Sequence, residues 1–449
     1  MGWWRGWRFR LPSSTTDGRP FGPPVELPRI VVAPANASPQ TRHNWLATQK
    51  EGLAFGPTDA AGSFLPVLLA RLGATNIQVG LLSAIPGLVG FLLAVPIGHF
   101  LQGRRNTVPW YSRGRLLNQL SLVVIGLALM VIPPDQVVPV ILVIIAVGSV
   151  IGSFANFSFY AVMDGLAGPN RRYELMSRRW GLKGAATAVS LAAIGWVLAQ
   201  VPFPNSYQFL YLATGFFALL AFRYARTFRI PDQPPHRPSA LQSPVARAGA
   251  FVREVRSDRR FLGFVGRHTV FGFGLSMALP LIPLYYVREL GASDAWIGLI
   301  GTTQAAMTMT GYVLWRKQAR RRGGTWVLVP SVVGAAAFPA LLALTHQELI
   351  VAVFVGVYGI SLAGIELALF DELMRAVPPG QVVRYAALDS SASNFAGMTG
   401  PLAGGLLAGA VGIPGALVAA SAVSLAGAAL FTLSVVRRGR APEPAGAEA

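Results

Sequence analysis

Cysteine is absent from the 449 residues, which excludes a disulfide framework, a thiolate nucleophile and any zinc site built on thiolates. Charge is also scarce. Asp, Glu, Lys and Arg make up 13% of the chain, about half the roughly 25% of a soluble domain. The five histidines are scattered, and no His-Glu-x-x-His motif occurs, so a metallohydrolase of that kind is excluded. No glycine-rich loop ending in Gly-Lys-Ser or Gly-Lys-Thr is present, so the chain does not hydrolyse ATP to drive its own work. No cofactor or metal is implied. Lysine is rare as well: only Lys50, Lys183 and Lys317 among 38 cations, a bias that fits a GC-rich genome or a hot habitat equally.

What is present is apolar sequence, 53% of the chain, and a net charge of +19. In a soluble protein such a charge points to nucleic acid, but here the cations are spread in a way that needs no nucleic-acid partner. Of the 38, 36 fall into seven blocks: seven up to Lys50, four in Arg104–Arg115, five in Arg171–Lys183, ten in Arg223–Arg267, five in Arg316–Arg322, then Arg375 with Arg384, and three in Arg437–Arg440. Only Arg71 and Arg288 break the pattern. Between blocks lies enough apolar sequence for two membrane crossings of about 20 residues each. Loops on the cytoplasmic side collect Lys and Arg, so the blocks mark one face of a membrane. Six intervals give twelve crossings with both termini cytoplasmic.

The expected class is therefore all-α and integral to a membrane, with spans near 48–70, 79–101, 114–133, 136–160, 181–201, 207–224, 261–286, 296–315, 325–345, 349–370, 387–410 and 413–435. The segment 1–45 is basic and proline-rich, and its Trp/Arg mixture lacks the apolar core of a secretory signal. A six-helix bundle is expected over 46–226, a cytoplasmic linker over 227–260, a second bundle over 261–436 and a tail over 437–449. Tyr285, Tyr286, Trp110 and Trp296 fall near span ends, where aromatic anchors sit.

The two halves repeat. Leu72-Gly73-Ala74-Thr75 followed by Gly80-Leu81 recurs as Leu290-Gly291-Ala292-Ser293 followed by Gly298-Leu299, 218 residues later. Gly168 with Arg172-Tyr173 recurs as Gly380 with Arg384-Tyr385, 212 residues later. Each match falls at the same place in its half. Six helices per half bring both copies in from one side, the parallel repeat of a two-bundle transporter.

On these residues the chain, from about 46 to 436, resembles the major facilitator superfamily. The family's signature loop between helices two and three is similar to Gly98-His99-Phe100-Leu101-Gln102-Gly103-Arg104-Arg105. Gly98 and the Arg104–Arg105 pair are kept, but Gln102 stands where the family has aspartate. The equivalent loop of the second half keeps only the charge of Arg320 and Arg321. The resemblance implies that these loops form an inner gate, and the missing aspartate weakens that latch. Gly400-Pro401 with Gly404-Gly405 is similar to a family motif associated with antiport, but it lies in span eleven, not span five. Small residues at this spacing let helices approach closely, so helix packing is the preferred reading.

An ionisable side chain in hydrocarbon is unfavourable unless it faces a cavity or a partner. Asp59, about 16 Å into the first span at 1.5 Å per residue, is the sharpest such case, flanked by Gly56, Gly62, Ser63 and Pro66. Glu366 in span ten and His268 in span seven join it as proton-coupling candidates. Asn156, Arg267 and Gln304 are candidates to line the substrate cavity, and the resemblance implies that helices one, four, seven and ten do so. The leading expectation is a monomeric secondary transporter of the plasma membrane, moving a small solute by alternating access with proton coupling. Scarce hydrogen-bonding groups favour export of an amphipathic compound over sugar uptake. A non-transporting sensor, or a membrane enzyme or scramblase on the same fold, stays open as the alternative.

Overall fold

A computed structural model describes residues 31, 33–34, 37–167, 172–231, 258–322, 324–377 and 382–440, apart from some side chains within the helices, among them Gln102 and Arg320. Most of the 1–45 segment, the linker and the tail lies outside the described residues, as do Gly168 and Gly380 of the second repeat match.

The described residues contain helices and no strands. In the first half these are α1 (Pro39–Ser63), its short continuation α2 (Leu65–Arg71), α3 (Asn76–Gln102), α4 (Val108–Val131), α5 (Pro134–Ala167), α6 (Arg172–Gln200) and α7 (Asn205–Ala225). In the second half they are α8 (Arg259–Ala278), α9 (Leu281–Leu284) running into a π-helical turn over Tyr285–Glu289, α10 (Asp294–Arg322), α11 (Thr325–Ala343), α12 (Glu348–Ala376) and α13 (Val382–Arg440). The local chemistry sets the starts. Ser38 accepts from the Thr41 amide ahead of Pro39, and Thr75 forms a capping box with Gln78 to open α3. Inside α13, Gly412 adopts φ 78° and ψ 165°, which no residue with a Cβ takes without strain, and Pro414 follows. The run is thus two crossings joined at a kink.

Ten described segments are long and apolar enough to cross a bilayer, and one of them is the 48-residue run Leu388–Val435 that contains this kink. The remaining crossing is α10, whose composition is diluted by Thr302, Thr303, Gln304, Thr308 and Thr310. The total is twelve, as the charge blocks imply. Val131, Val189 and Leu344 stand 82%, 71% and 77% exposed, a surface that calls for an apolar medium.

Within the first half α1 packs on α6 and α7, α3 on α5, and α4 on α5 and α7. Within the second, α8 packs on α13, α10 on α12, and α11 on α12 and α13. The halves meet where α3 crosses α13 and where α6 crosses α10. Repeat-related glycines make both crossings. A Cβ on Gly80 would lie 2.7 Å from the Pro401 carbonyl oxygen, and a Cβ on Gly298 would lie 2.7 Å from that of Leu191. Both obstacles are backbone and cannot rotate away. Gly298→Val should therefore cost about 1–3 kcal/mol by overpacking, read as a lower unfolding midpoint of the purified protein.

The buried residues show which end is closed. At the end carrying the short connections, one apolar core joins both halves: Leu68, Val79, Tyr207 and Tyr211 with Leu281, Tyr285, Phe338 and Ile413. At the basic end the core divides. Trp45, Tyr111, Met163 and Phe228 form one cluster, and Phe261, Phe264, Tyr385 and Phe431 form another. Gly98, Gly181 and Gly184 look onto open space there. The molecule is a pair of bundles joined at one end and parted at the basic end.

Two sequence expectations are corrected here. Tyr285 and Tyr286 are not membrane-interface anchors: they open the π-helical turn and are 0% and 7% exposed in the joint core, where the Tyr285 hydroxyl donates to the Thr345 carbonyl. Arg179, outside the expected spans, belongs to α6; with Arg115 of α4 and Lys183 of α6, which the spans from 114 and 181 already include, it points into the first bundle.

Candidate functional site

On α1, Glu51, Phe55 and Asp59 are spaced by four residues and share one face. On the neighbouring α6, which also starts at the basic end, Arg179, Lys183 and Thr187 have the same spacing. Gly52 and Gly56 let the helices close up: a Cβ on Gly56 would fall 2.5 Å from the Ala186 Cβ. The two stripes therefore meet in register.

Glu51 is fully buried. Arg179 donates to its Oε2 from Nε at 3.0 Å, with Nη2 at 2.9 Å, and Arg115 Nε lies 3.1 Å from Oε1. Tyr111 donates its hydroxyl to the same Oε1 at 3.1 Å. One carboxylate thus holds two guanidiniums and ties α1, α4 and α6 together. One turn along, the Phe55 ring carries the Arg115 guanidinium 3.7 Å from its centroid and the Lys183 ammonium at 5.1 Å. A further turn along, Lys183 Nζ lies 2.9 Å from Asp59 Oδ2, and the Thr187 hydroxyl donates to the same oxygen at 3.4 Å. Asp59 is 38% and Lys183 27% exposed, so this end of the network faces the cleft.

The second bundle places His268 Nδ1 2.7 Å from Asp389 Oδ1, linking α8 to α13. The side chains of Arg375 and Arg384 lie outside the described residues. Arg267 lies over the Phe431 ring at 5.6 Å. Glu366, exposed on α12, accepts the Tyr312 hydroxyl from α10. Gln304 is half-buried on α10, its carbonyl covered by Gly359, and Asn156 is exposed on α5. The structure therefore joins Asp59 to Lys183 and His268 to Asp389, but it does not bring Asp59, Glu366 and His268 into one contact group among the described residues.

At the basic end Gly98 sits near the close of α3, and Arg104 is stacked on Phe100 at 4.3 Å and on Trp110 at 5.5 Å. Arg105 and Arg321 are exposed, while the side chains of Gln102 and Arg320 lie outside the described residues. Of the span-eleven motif, Gly400 and Gly404 lie against the α8 backbone at Phe273 and Met277. Gly405 and the Pro401 carbonyl lie against Asn76 and Gly80 of α3.

The opposite end is held by the two arginines that break the charge pattern. Arg71 donates to Asp294 from Nε at 2.9 Å and to the Ala292 carbonyl at 3.1 Å. Arg288 donates to Asn76 at 2.7 Å and to the Ala74 carbonyl. Ala74 and Ala292 are repeat equivalents, as are Asn76 and Asp294, each pair 218 residues apart. Each half thus sends an arginine to the same two positions of the other. Tyr207 adds a hydroxyl to Asp294 at 3.0 Å. Sequence reasoning found the two arginines but not the clasp, since neither partner is apparent without the fold.

The family model of the Major Facilitator Superfamily matches residues 267–449. No curated protein sequence matches the chain. Among solved structures, a bacterial homologue of the iron transporter ferroportin in an inward-facing state is similar, with a TM-score of 0.67, 14% identity, and coverage of 89% of this chain and 100% of that one. A bacterial homologue of the human lysosomal transporter Spinster, inward-facing and unoccupied, has a TM-score of 0.65 at 15% identity, covering 91% and 100%. A D-xylose-proton symporter also has 0.65, at 14% identity, covering 89% and 98%.

Proposed function

We propose that this chain, a multi-pass membrane protein with the fold of the major facilitator superfamily, is a secondary transporter that carries a small solute by alternating access. The observation that carries the reading is the charged Asp59–Lys183 pair exposed in a cleft that is parted at one end and clasped at the other. A static sensor does not require ionisable groups in hydrocarbon facing an open gap. By the positive-inside bias the parted end faces the cytoplasm of a cell whose plasma membrane holds the protein, so the state described is inward-facing. The transporter works as a monomer in lipid, with no nucleic-acid partner.

Energy comes from a proton gradient. Asp59 is the proton carrier of this reading, because its carboxylate is reached from the cleft and has a cation whose pairing changes when it is protonated. Glu366 with Tyr312 and His268 with Asp389 are the second-bundle groups able to exchange protons with the same gap. The solute is amphipathic rather than a sugar, since charged residues make up only 13% of the chain and polar groups are scarce within its spans.

Asp59→Asn should abolish pH-driven accumulation in sealed vesicles while sparing counterflow. Unchanged accumulation would remove Asp59 from the mechanism. Absence of counterflow across a broad solute panel would count against transport and for the sensor or membrane-enzyme alternatives.

A further inference from the structure

Among the described residues, the connected network on α1, α4 and α6 holds five charges: the carboxylates of Glu51 and Asp59 against the cations of Arg115, Arg179 and Lys183. One positive charge is left over. Glu51 and Arg179 are sealed at 0% and 2% exposure, whereas Arg115 and Lys183 reach the gap at 15% and 27%. The surplus is therefore expressed at these two cations, which flank one aromatic ring. Both also lie over the Phe55 ring, Arg115 at 3.7 Å and Lys183 at 5.1 Å from its centroid, so one aromatic side chain adjoins the two cations. A cation without a full counter-charge, partly screened by the water of the gap but backed by the bundle, gains from an anionic partner.

We infer that the solute carried by this cleft is an amphipathic anion, whose negative group binds between Lys183 and Arg115 beside Phe55. The inference rests on the transporter reading and names the substrate class of the same site. Lys183 can serve either Asp59 or the solute anion fully, not both. Protonation of Asp59 frees the ammonium, so proton and anion bind in mutual support. The groups facing Asp59 are Lys183 and Thr187 from α6, and next along the network are Arg115 from α4 and Glu51 on its own helix. This sense of coupling brings the anion in with the proton, opposite to the export that the sequence alone favours.

The test uses the full-length protein in detergent with three matched probes: 2-naphthalenesulfonate, which stays anionic throughout, 2-naphthamide and 2-naphthyltrimethylammonium. The sulfonate should raise the unfolding midpoint, and the neutral and cationic probes should not. Its binding should tighten as pH falls. Lys183→Gln should weaken it about tenfold, the loss of one charge-assisted contact, and Lys183→Arg should retain it. Asp59→Asn should tighten it at pH 8 and flatten the pH dependence. Equal stabilisation by the neutral or cationic probe, no stabilisation by the sulfonate, or wild-type binding by Lys183→Gln would each overturn the inference. Vesicle counterflow separates the two levels. Exchange restricted to neutral or cationic solutes sinks the anion assignment alone; exchange of no solute sinks the transport reading beneath it.

Discussion

Glu51→Gln is expected to destabilise the protein by about 3–5 kcal/mol, the penalty for removing one partner of a buried ion pair. Glu51 is 0% exposed and supplies the only carboxylate in contact with Arg179, itself 2% exposed, among the described residues. The amide can accept the Tyr111 hydroxyl but leaves two guanidiniums without a counter-charge between α1, α4 and α6. The expected readout is a sharp fall in unfolding midpoint and folded yield. Replacing the pair together, Glu51→Leu with Arg179→Met, should recover part of the loss, because apolar packing of similar volume substitutes well for a buried pair. Asp59→Asn should show no comparable fall: Asp59 and Lys183 are 38% and 27% exposed, and such pairs contribute little to stability. Similar losses at both positions would contradict the division of the network into a sealed structural end and an open working end.

That division also marks what the sequence disclosed and what it did not. The twelve crossings were legible because hydropathy and the position of cations are local properties of the chain. Even α10, diluted by its threonines, was located by the Arg316–Arg322 block at its end. The working network was not legible by the same logic. Charge blocks count cations along the chain and ignore helical phase, so Arg179 read as a loop residue, while Arg115 and Lys183, though inside the spans from 114 and 181, carried no sign of which way they face. Glu51 was hidden because hydropathy placed the start of the first span near it, whereas α1 begins at Pro39 and carries it into the bundle. The available signal was the matched four-residue spacing of Glu51, Phe55 and Asp59 with Arg179, Lys183 and Thr187. Pairing those stripes requires knowing that α1 and α6 are neighbours, which is a tertiary fact. The same holds for His268 and Asp389, 121 residues apart in sequence.

Breaking the arginine clasp opposite the basic blocks should open that end. In Arg71→Ala the Asp294 carboxylate loses its cation and keeps only Tyr207, and the Ala292 carbonyl loses a donor. Arg71 is partly solvated at 27% exposure but makes two charge-assisted hydrogen bonds, so the loss is about 1–2 kcal/mol, roughly a five- to thirtyfold shift toward a population open at that end. Because the chain has no cysteine, spin labels at Ile77→Cys and Leu299→Cys, exposed on α3 and α10, can report the separation there directly. A longer-distance population should grow in Arg71→Ala and, less strongly, in Arg288→Ala, whose side-chain partner Asn76 is neutral. The repeat supplies the opposite test. Asn76 occupies the position that Asp294 occupies in the second half, so Asn76→Asp gives Arg288 a carboxylate and also places a negative charge at the start of α3. This variant should favour closure of that end, shorten the label distance and slow counterflow. Label distances unchanged in both directions would show that the glycine crossings, not the arginines, hold that end shut.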